Sequence, residues 1–315
     1  MHIGIDFGGT NIAVGITDDN YKILYKTSTP TLLGRPVDEM VLDMAKLCRE
    51  CAEKVGTTLD EVKSIGIASP GTINSATGEV EYYCNMDLYN YPMTAKLKAA
   101  LGGYERVFAG NDANAAALGE TVAGAAKGAK TAVMITLGTG VGGGIVFDGK
   151  IYDGFNYSAA ELGHEVIHAG GRPCPCGRKG CWEQYSSATA LIRDTKEAME
   201  AHPESKLWEV APSLDKVNGK TVFDARDLGD EVAQTVIDGY LTDLAAGLTN
   251  MVNIFQPEVL CIGGGICGQG EALRAPLEKM IMAEQYAKTT PHKTTLKIAA
   301  LGNDAGIVGA AALGN

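Results

Sequence analysis

Two stretches of this sequence are versions of one another, and that repetition limits the fold more than any other feature. IDFGGTNIAVGITDDNYKI stands near the N-terminus and ITLGTGVGGGIVFDGKI stands further along. Each reads as strand, glycine turn, strand, tight turn, strand, with Gly, Asp and Asn in the turns. A unit used twice predicts two related α/β domains facing each other, with a ligand cleft between them. The break is expected near Glu120, ahead of the small-residue stretch Val122–Gly128, giving domains of residues 1–120 and 121–315. The C-terminal helix is free to pack back on the first.

The rest of the pattern is also α/β. A helix is expected over Val37–Val55, with Met40, Leu42, Met44, Ala45 and Leu47 among its buried positions, and a strand over Val62–Ala68. Further helices are read at Ser187–Glu200, Asp230–Phe255, Glu271–Tyr286 and Asn303–Leu313, with strands at Glu258–Ile262 and Leu296–Ala300. The chain of 315 residues, 45% of them apolar, can fill two cores. Its net charge of −11 argues against a nucleic-acid partner, which needs an excess of Lys and Arg. No basic region leads into an apolar run, and no apolar stretch nears the ~20 residues that span a bilayer. A cytoplasmic protein with no membrane partner is expected.

The glycine turns are the first candidate site. In Gly8-Gly9-Thr10-Asn11, glycines let backbone N–H groups approach phosphate oxygens, and Thr10 and Asn11 add side-chain donors. Asp6, at the end of the preceding strand, is placed to hold Mg²⁺ through water. The turn read over Gly138-Thr139-Gly140-Val141-Gly142-Gly143-Gly144 repeats the device, so the two look like halves of one phosphate clamp. For the first turn alone, an ordinary hairpin accounts for the residues equally well.

Neither Gly138-x-Gly140-x-x-Gly143 nor Gly263-x-Gly265-x-x-Gly268 sits in the context a dinucleotide fold requires. The first leads into a strand, and the second lies too near the C-terminus. Gly219-Lys220-Thr221 lacks the leading glycine of a P-loop. Gly263-Gly264-Gly265 reads instead as a turn where an adenosine could lie.

Cys174, Cys176 and Cys181 crowd into one short loop, and with His164 or His168 they make a Cys₃His set that closes a tetrahedral Zn²⁺ shell. Four protein ligands leave no open position, which points to a structural metal. Cys48-x-x-Cys51 lies inside a predicted helix and reads as a pair of inert, partly buried thiols. Asp112 follows an apolar strand and opens a small-residue run. It is placed either as a helix cap or as a general base for an attacking hydroxyl.

Asp6-x-Gly8-Gly9-Thr10-Asn11, Pro70-Gly71, Asn111-Asp112-Ala113-Asn114, Leu137-Gly138-Thr139-Gly140-Val141-Gly142-Gly143-Gly144, Glu161-Leu162-Gly163-His164 and Cys174-x-Cys176-Gly177-x-x-Gly180-Cys181-x-Glu183 occur in one order. Together they resemble the ROK family of sugar kinases and repressors, along essentially the whole chain, and most of all its bacterial glucokinases. The resemblance implies two actin-like (RNase H-like) domains, a homodimer, and transfer of phosphate from ATP to a hexose 6-hydroxyl. Asp112 would be the base, Asn111 would hold a sugar hydroxyl, and Gly71 would offer a backbone contact. Glu161, His164 and Glu183 would bind hydroxyls nearer the anomeric carbon, and His164 rather than His168 would be the zinc ligand. Asp6, Gly9, Thr10, Gly138 and Thr139 would serve phosphates and Mg²⁺, and Gly263–Gly265 adenosine.

Domain closure on the sugar would limit wasteful hydrolysis of ATP. Ser158-Ala159-Ala160 ahead of Glu161 departs from the glycine-richer approach expected there, which leaves sugar choice open. An N-acetylhexosamine kinase, a fructokinase and a non-catalytic sugar sensor are the competing readings. The repressor class is disfavoured, because its extra DNA-binding domain would have to precede the first turn.

Overall fold

The structure is a computed structural model that describes residues 1–83 and 86–315. The chain runs β1 (His2–Phe7), β2 (Asn11–Thr17), β3 (Ile23–Pro30), α1 (Val37–Lys54), β4 (Ile65–Ser69), β5 (Thr72–Asn74), β6 (Glu79–Tyr83), β7 (Leu88–Tyr91), α2 (Met93–Ala100), β8 (Val107–Asn111) and α3 (Asp112–Val122). It continues through β9 (Thr131–Leu137), β10 (Val141–Phe147), β11 (Lys150–Ile151), α4 (Glu183–Ser186), α5 (Ala188–Ala201), α6 (Leu207–Val210), α7 (Thr221–Asp227) and α8 (Glu231–Phe255). Last come β12 (Val259–Gly263), α9 (Glu271–Glu284), β13 (Thr295–Ile298) and α10 (Ala305–Ala312).

The repeat seen in the sequence is a repeat of topology. One five-stranded sheet is ordered β3-β2-β1-β4-β8 and the other β11-β10-β9-β12-β13. Each begins with three strands joined by turns and ends with two strands reached by crossovers. This is the α/β architecture of two actin-like halves. A third, three-stranded sheet, β5-β6-β7, was not foreseen, because its strands are short and lack a run of alternating apolar residues.

Packing divides the chain into one unit of residues 1–134, 144–160 and 299–315 and another of 135–143 and 161–298. The single cut expected at residue 120 therefore differs from the packing units, since the chain passes from one to the other within β9 and β10. The C-terminal segment belongs to the first unit.

In the first unit α1 lies against β2 and β3, and its Met40, Met44, Cys48 and Cys51 share one core with Ile3, Ile5 and Phe7 of β1. These positions repeat at helical spacing. Leu42, expected among them, is 61% exposed, because a residue two places along a helix points to the opposite side. On the other side of the sheet the reason for so many glycines becomes clear. Gly15, Gly4 and Gly66 are register partners on β2, β1 and β4. A Cβ on Gly4 would collide with the carbonyl oxygen of Ile307, and one on Gly66 with that of Ala310. The bare row lets α10, built from Gly, Ala and two branched residues, lie directly on the backbone of the sheet.

Candidate active site

In the first unit the expected residues gather where β1, β4 and β8 end. The turn after β1 is closed by the Gly8 N–H on the Asn11 carbonyl at 3.0 Å and braced by the Thr31 hydroxyl on the Gly8 carbonyl at 2.6 Å. Gly9, Thr10 and Asn11 are left exposed, as a backbone cradle for an anion requires.

Asp112 is the first residue of α3, and its Oδ1 accepts the Ala113 N–H at 2.8 Å. Helix capping itself falls to Asn111, whose Oδ1 accepts from the N–H groups of Ala113 and Asn114 at 3.0 and 3.2 Å. Of the two roles weighed for Asp112, the cap is thus taken by its neighbour Asn111. The Asn111 Nδ2 donates to the Gly71 carbonyl at 3.1 Å. Gly71 sits at φ +92°, and a side chain there would strike the Tyr82 carbonyl, so the turn accepts only glycine.

Burial pushes the Asp112 carboxyl above its ordinary range, a shift that the Ala113 N–H partly offsets. Asp6 is raised to about 6, chiefly by burial and then by the charge of Asp112. Two partly buried carboxylates, one of which raises the other, make a natural seat for a divalent cation.

In the second unit the turn after β9 is Gly138-Thr139-Gly140, closed by the Gly138 N–H on the Gly140 carbonyl at 3.0 Å and held by the Ala188 N–H on the Gly138 carbonyl at 2.8 Å. This corrects the longer turn read from the sequence. Gly142, Gly143 and Gly144 lie within β10. Gly144 serves packing in the first unit, since a Cβ there would lie 2.6 Å from the Ala117 Cβ of α3. Gly140 comes beside Glu183, whose Oε2 would stand 2.6 Å from a Cβ at that position.

The zinc candidates converge. One ligand atom from each of His164, Cys174, Cys176 and Cys181 lies within 4.8 Å of every other. Cys174 Sγ is 3.6 Å from His164 Nδ1, and Cys176 Sγ is 3.6 Å from Cys181 Sγ. Zinc–sulfur bonds of about 2.3 Å in a tetrahedron put sulfurs nearly 4 Å apart, so the donor set fits Zn²⁺ as it stands. His168 is not a member of this set, and its Nε2 contacts Asp243 Oδ1 at 2.7 Å.

Glu183 Oε1 lies 3.2 Å from Cys174 Sγ, and the His164 N–H bonds the Glu161 carbonyl at 3.1 Å. The knuckle thereby brings Glu161, His164 and Glu183 into one neighbourhood. Behind it the fully buried Trp182 ring fills the space that Gly247 leaves open on α8, and its Nε1 donates to the Asp243 carbonyl at 3.1 Å.

The turn after β12 carries Gly264 at φ +105°, where a Cβ would collide with the Leu137 carbonyl. Gly265 borders a cavity of about 380 Å³ that is lined also by Ala188, Lys220, Ile266, Gly268 and Gln269. None of these five was read from the sequence as lining the adenosine turn. Lys220 belongs to the segment set aside as a failed P-loop, and its nearness to Gly265 had no local signal.

The sequence model of the ROK family matches residues 2–315. Glucokinase of Thermotoga maritima is 37% identical over 313 residues, spanning 99% of this chain and 96% of that protein. Glucokinase of Streptomyces coelicolor is 37% identical over 324 residues, spanning 99% and 97%. The solved structure of a ROK family glucokinase from Streptomyces griseus in complex with glucose and AMPPNP is 34% identical. It superimposes with a TM-score of 0.80 over 99% of this chain and 98% of that one.

Proposed function

The chain belongs to the ROK family, and we propose that it is a glucokinase, moving the γ-phosphoryl group of ATP to the 6-hydroxyl of glucose. The observation that carries the reading is Asp112, a partly buried carboxylate relieved of capping duty by Asn111. As the 6-oxygen bonds to the γ-phosphorus and the bond to ADP breaks, the hydroxyl proton passes to the Asp112 carboxylate. Phosphoryl transfer asks little other covalent work of a protein, so most of the catalysis is positioning.

We assign Asn111 and the Gly71 backbone to the sugar, together with Glu161, His164 and Glu183 for the hydroxyls nearer the anomeric carbon. The turns Gly8–Asn11 and Gly138–Gly140 offer backbone N–H groups to the phosphates. Adenosine is assigned to the cavity beside Gly263–Gly265. Asp6 would hold Mg²⁺, which neutralises phosphate charge when bound. Zn²⁺ on His164, Cys174, Cys176 and Cys181 would fix the knuckle, with the other ring nitrogen of His164 available to sugar.

No helix of the described residues is long and apolar enough to cross a membrane. We place the enzyme in the cytoplasm and expect a homodimer, as the family resemblance implies. The test is ADP release with ATP and Mg²⁺ across glucose, mannose, fructose, N-acetylglucosamine and N-acetylmannosamine. Glucose should give the highest kcat/KM, and preference for an N-acetylated sugar would replace the proposed substrate.

A further inference from the structure

The loop that carries the three cysteines is closed at Arg172, whose carbonyl accepts the Gly180 N–H at 2.7 Å. The other backbone group of Arg172 is used outside the loop. Its N–H donates to the hydroxyl of Tyr185, on α4, at 2.7 Å. Gly171 makes that approach possible, since a Cβ there would collide with the hydroxyl. The Tyr185 ring meets the loop as well. Its centroid lies 4.5 Å from that of His168, and the Arg172 guanidinium stands 5.7 Å from it, within cation–π range. The loop is fixed in turn to two further helices. Arg172 pairs with Asp194 of α5 at 2.6 Å, and His168 contacts Asp243 of α8 at 2.7 Å.

The helix α4 is a single turn, Glu183–Ser186. One turn has no stability of its own, because nucleating it costs more than its few hydrogen bonds return. Its orientation must come from what its side chains hold. Glu183 Oε1 lies 3.2 Å from Cys174 Sγ, and Tyr185 takes the Arg172 N–H. Helix and loop are therefore joined at two neighbouring points. The first sits on a zinc ligand, and the second needs no metal.

We propose that Tyr185 is a positioning residue: its hydroxyl latches the cysteine loop to the helix that bears Glu183, and so sets where the Glu183 carboxylate stands. The sugar role of Glu183 rests on the function proposed above. The latch itself rests on Arg172, Gly171 and Tyr185.

Tyr185→Phe tests the idea, because it keeps the ring and removes only the acceptor. Three measurements on the zinc-loaded protein follow from it. The Arg172 amide should exchange with deuterium about three- to tenfold faster, the worth of one hydrogen bond. Zinc should pass to a chelator faster than from the wild type. KM for glucose should rise about three- to tenfold, with kcat and KM for ATP near wild type, a split that general loosening of the fold would not produce. Wild-type exchange at Arg172 would overturn the latch. A wild-type KM for glucose beside a fast-exchanging Arg172 amide would overturn its hold on Glu183. Failure of the wild type to phosphorylate glucose would strike the function proposed above, and the exchange and zinc-loss rates would then decide the latch.

Discussion

The side-chain amide of Asn111 donates to the carbonyl oxygen of Gly71 at 3.1 Å, tying the turn after β4 to the residue that precedes the proposed base. The same side chain caps α3 through its oxygen. Asn111→Ala should lose both functions, lowering stability by about 1 kcal/mol through the cap and raising KM for glucose. Asn111→Asp keeps an acceptor for the cap but turns a carboxylate toward the Gly71 carbonyl. It should recover most of the stability and little of the glucose affinity. A normal KM in Asn111→Asp would show that the tether does not shape the sugar contact.

Asp6 gives a pH prediction for the metal-free protein. Its carboxyl is raised to about 6 in the fold from an ordinary value near 3.8. The folded chain therefore binds a proton more tightly than the unfolded chain, and stability falls as pH rises from about 4 through 6. Asp6→Asn removes the charge that burial penalises. It should be more stable than wild type at pH 8, by on the order of 1–3 kcal/mol, with the gain shrinking toward pH 4. Urea unfolding at both pH values measures this, and a gain of equal size at both would contradict the buried-charge account.

The knuckle predicts about one zinc per chain by elemental analysis of reduced protein. Cys176 is the exposed member of the set. Cys176→Ser should lower zinc content, lower the melting temperature, and raise KM for glucose more than KM for ATP, because Glu161, His164 and Glu183 are held by the knuckle. Metal-free reduced protein that melts at the same temperature would remove the structural role.

The glycine row predicts that a single methyl group is not tolerated at the centre of the first sheet. Gly66→Ala would drive its Cβ into the Ala310 carbonyl and lift α10 from the sheet. A loss of several kcal/mol is expected, in the range of severe core substitutions. Gly149→Ala, in an exposed turn with nothing near its Cβ, is strained only by its φ of +76° and should cost less. Equal losses would mean that backbone preference, not the approach of α10, explains the row.

The strand–turn–strand repeat was legible because hairpins announce themselves locally, and the helix starts at Ser187 and Asp230 were legible because both residues cap by accepting a backbone N–H. The Cys₃His cluster was legible, yet spacing left His164 and His168 open. Only the fold brings His164 together with the three cysteines. The length of the second glycine turn was misread because a glycine kept for a tight turn and a glycine kept for helix packing look alike in sequence. Gly144 is of the second kind, and its partner Ala117 lies on another element. Ala188, Lys220 and Gln269 were invisible for the same reason: three distant segments meet at one cavity beside Gly265.

Asp112 carries the central claim, and turnover by Asp112→Asn tests it most directly. ADP release with glucose, ATP and Mg²⁺ should fall by roughly 10²–10⁴, the usual share of a general base, while glucose binding measured without nucleotide stays near wild type. Undiminished turnover in Asp112→Asn would contradict the mechanism, and a wild type that releases no ADP with glucose would contradict the function itself.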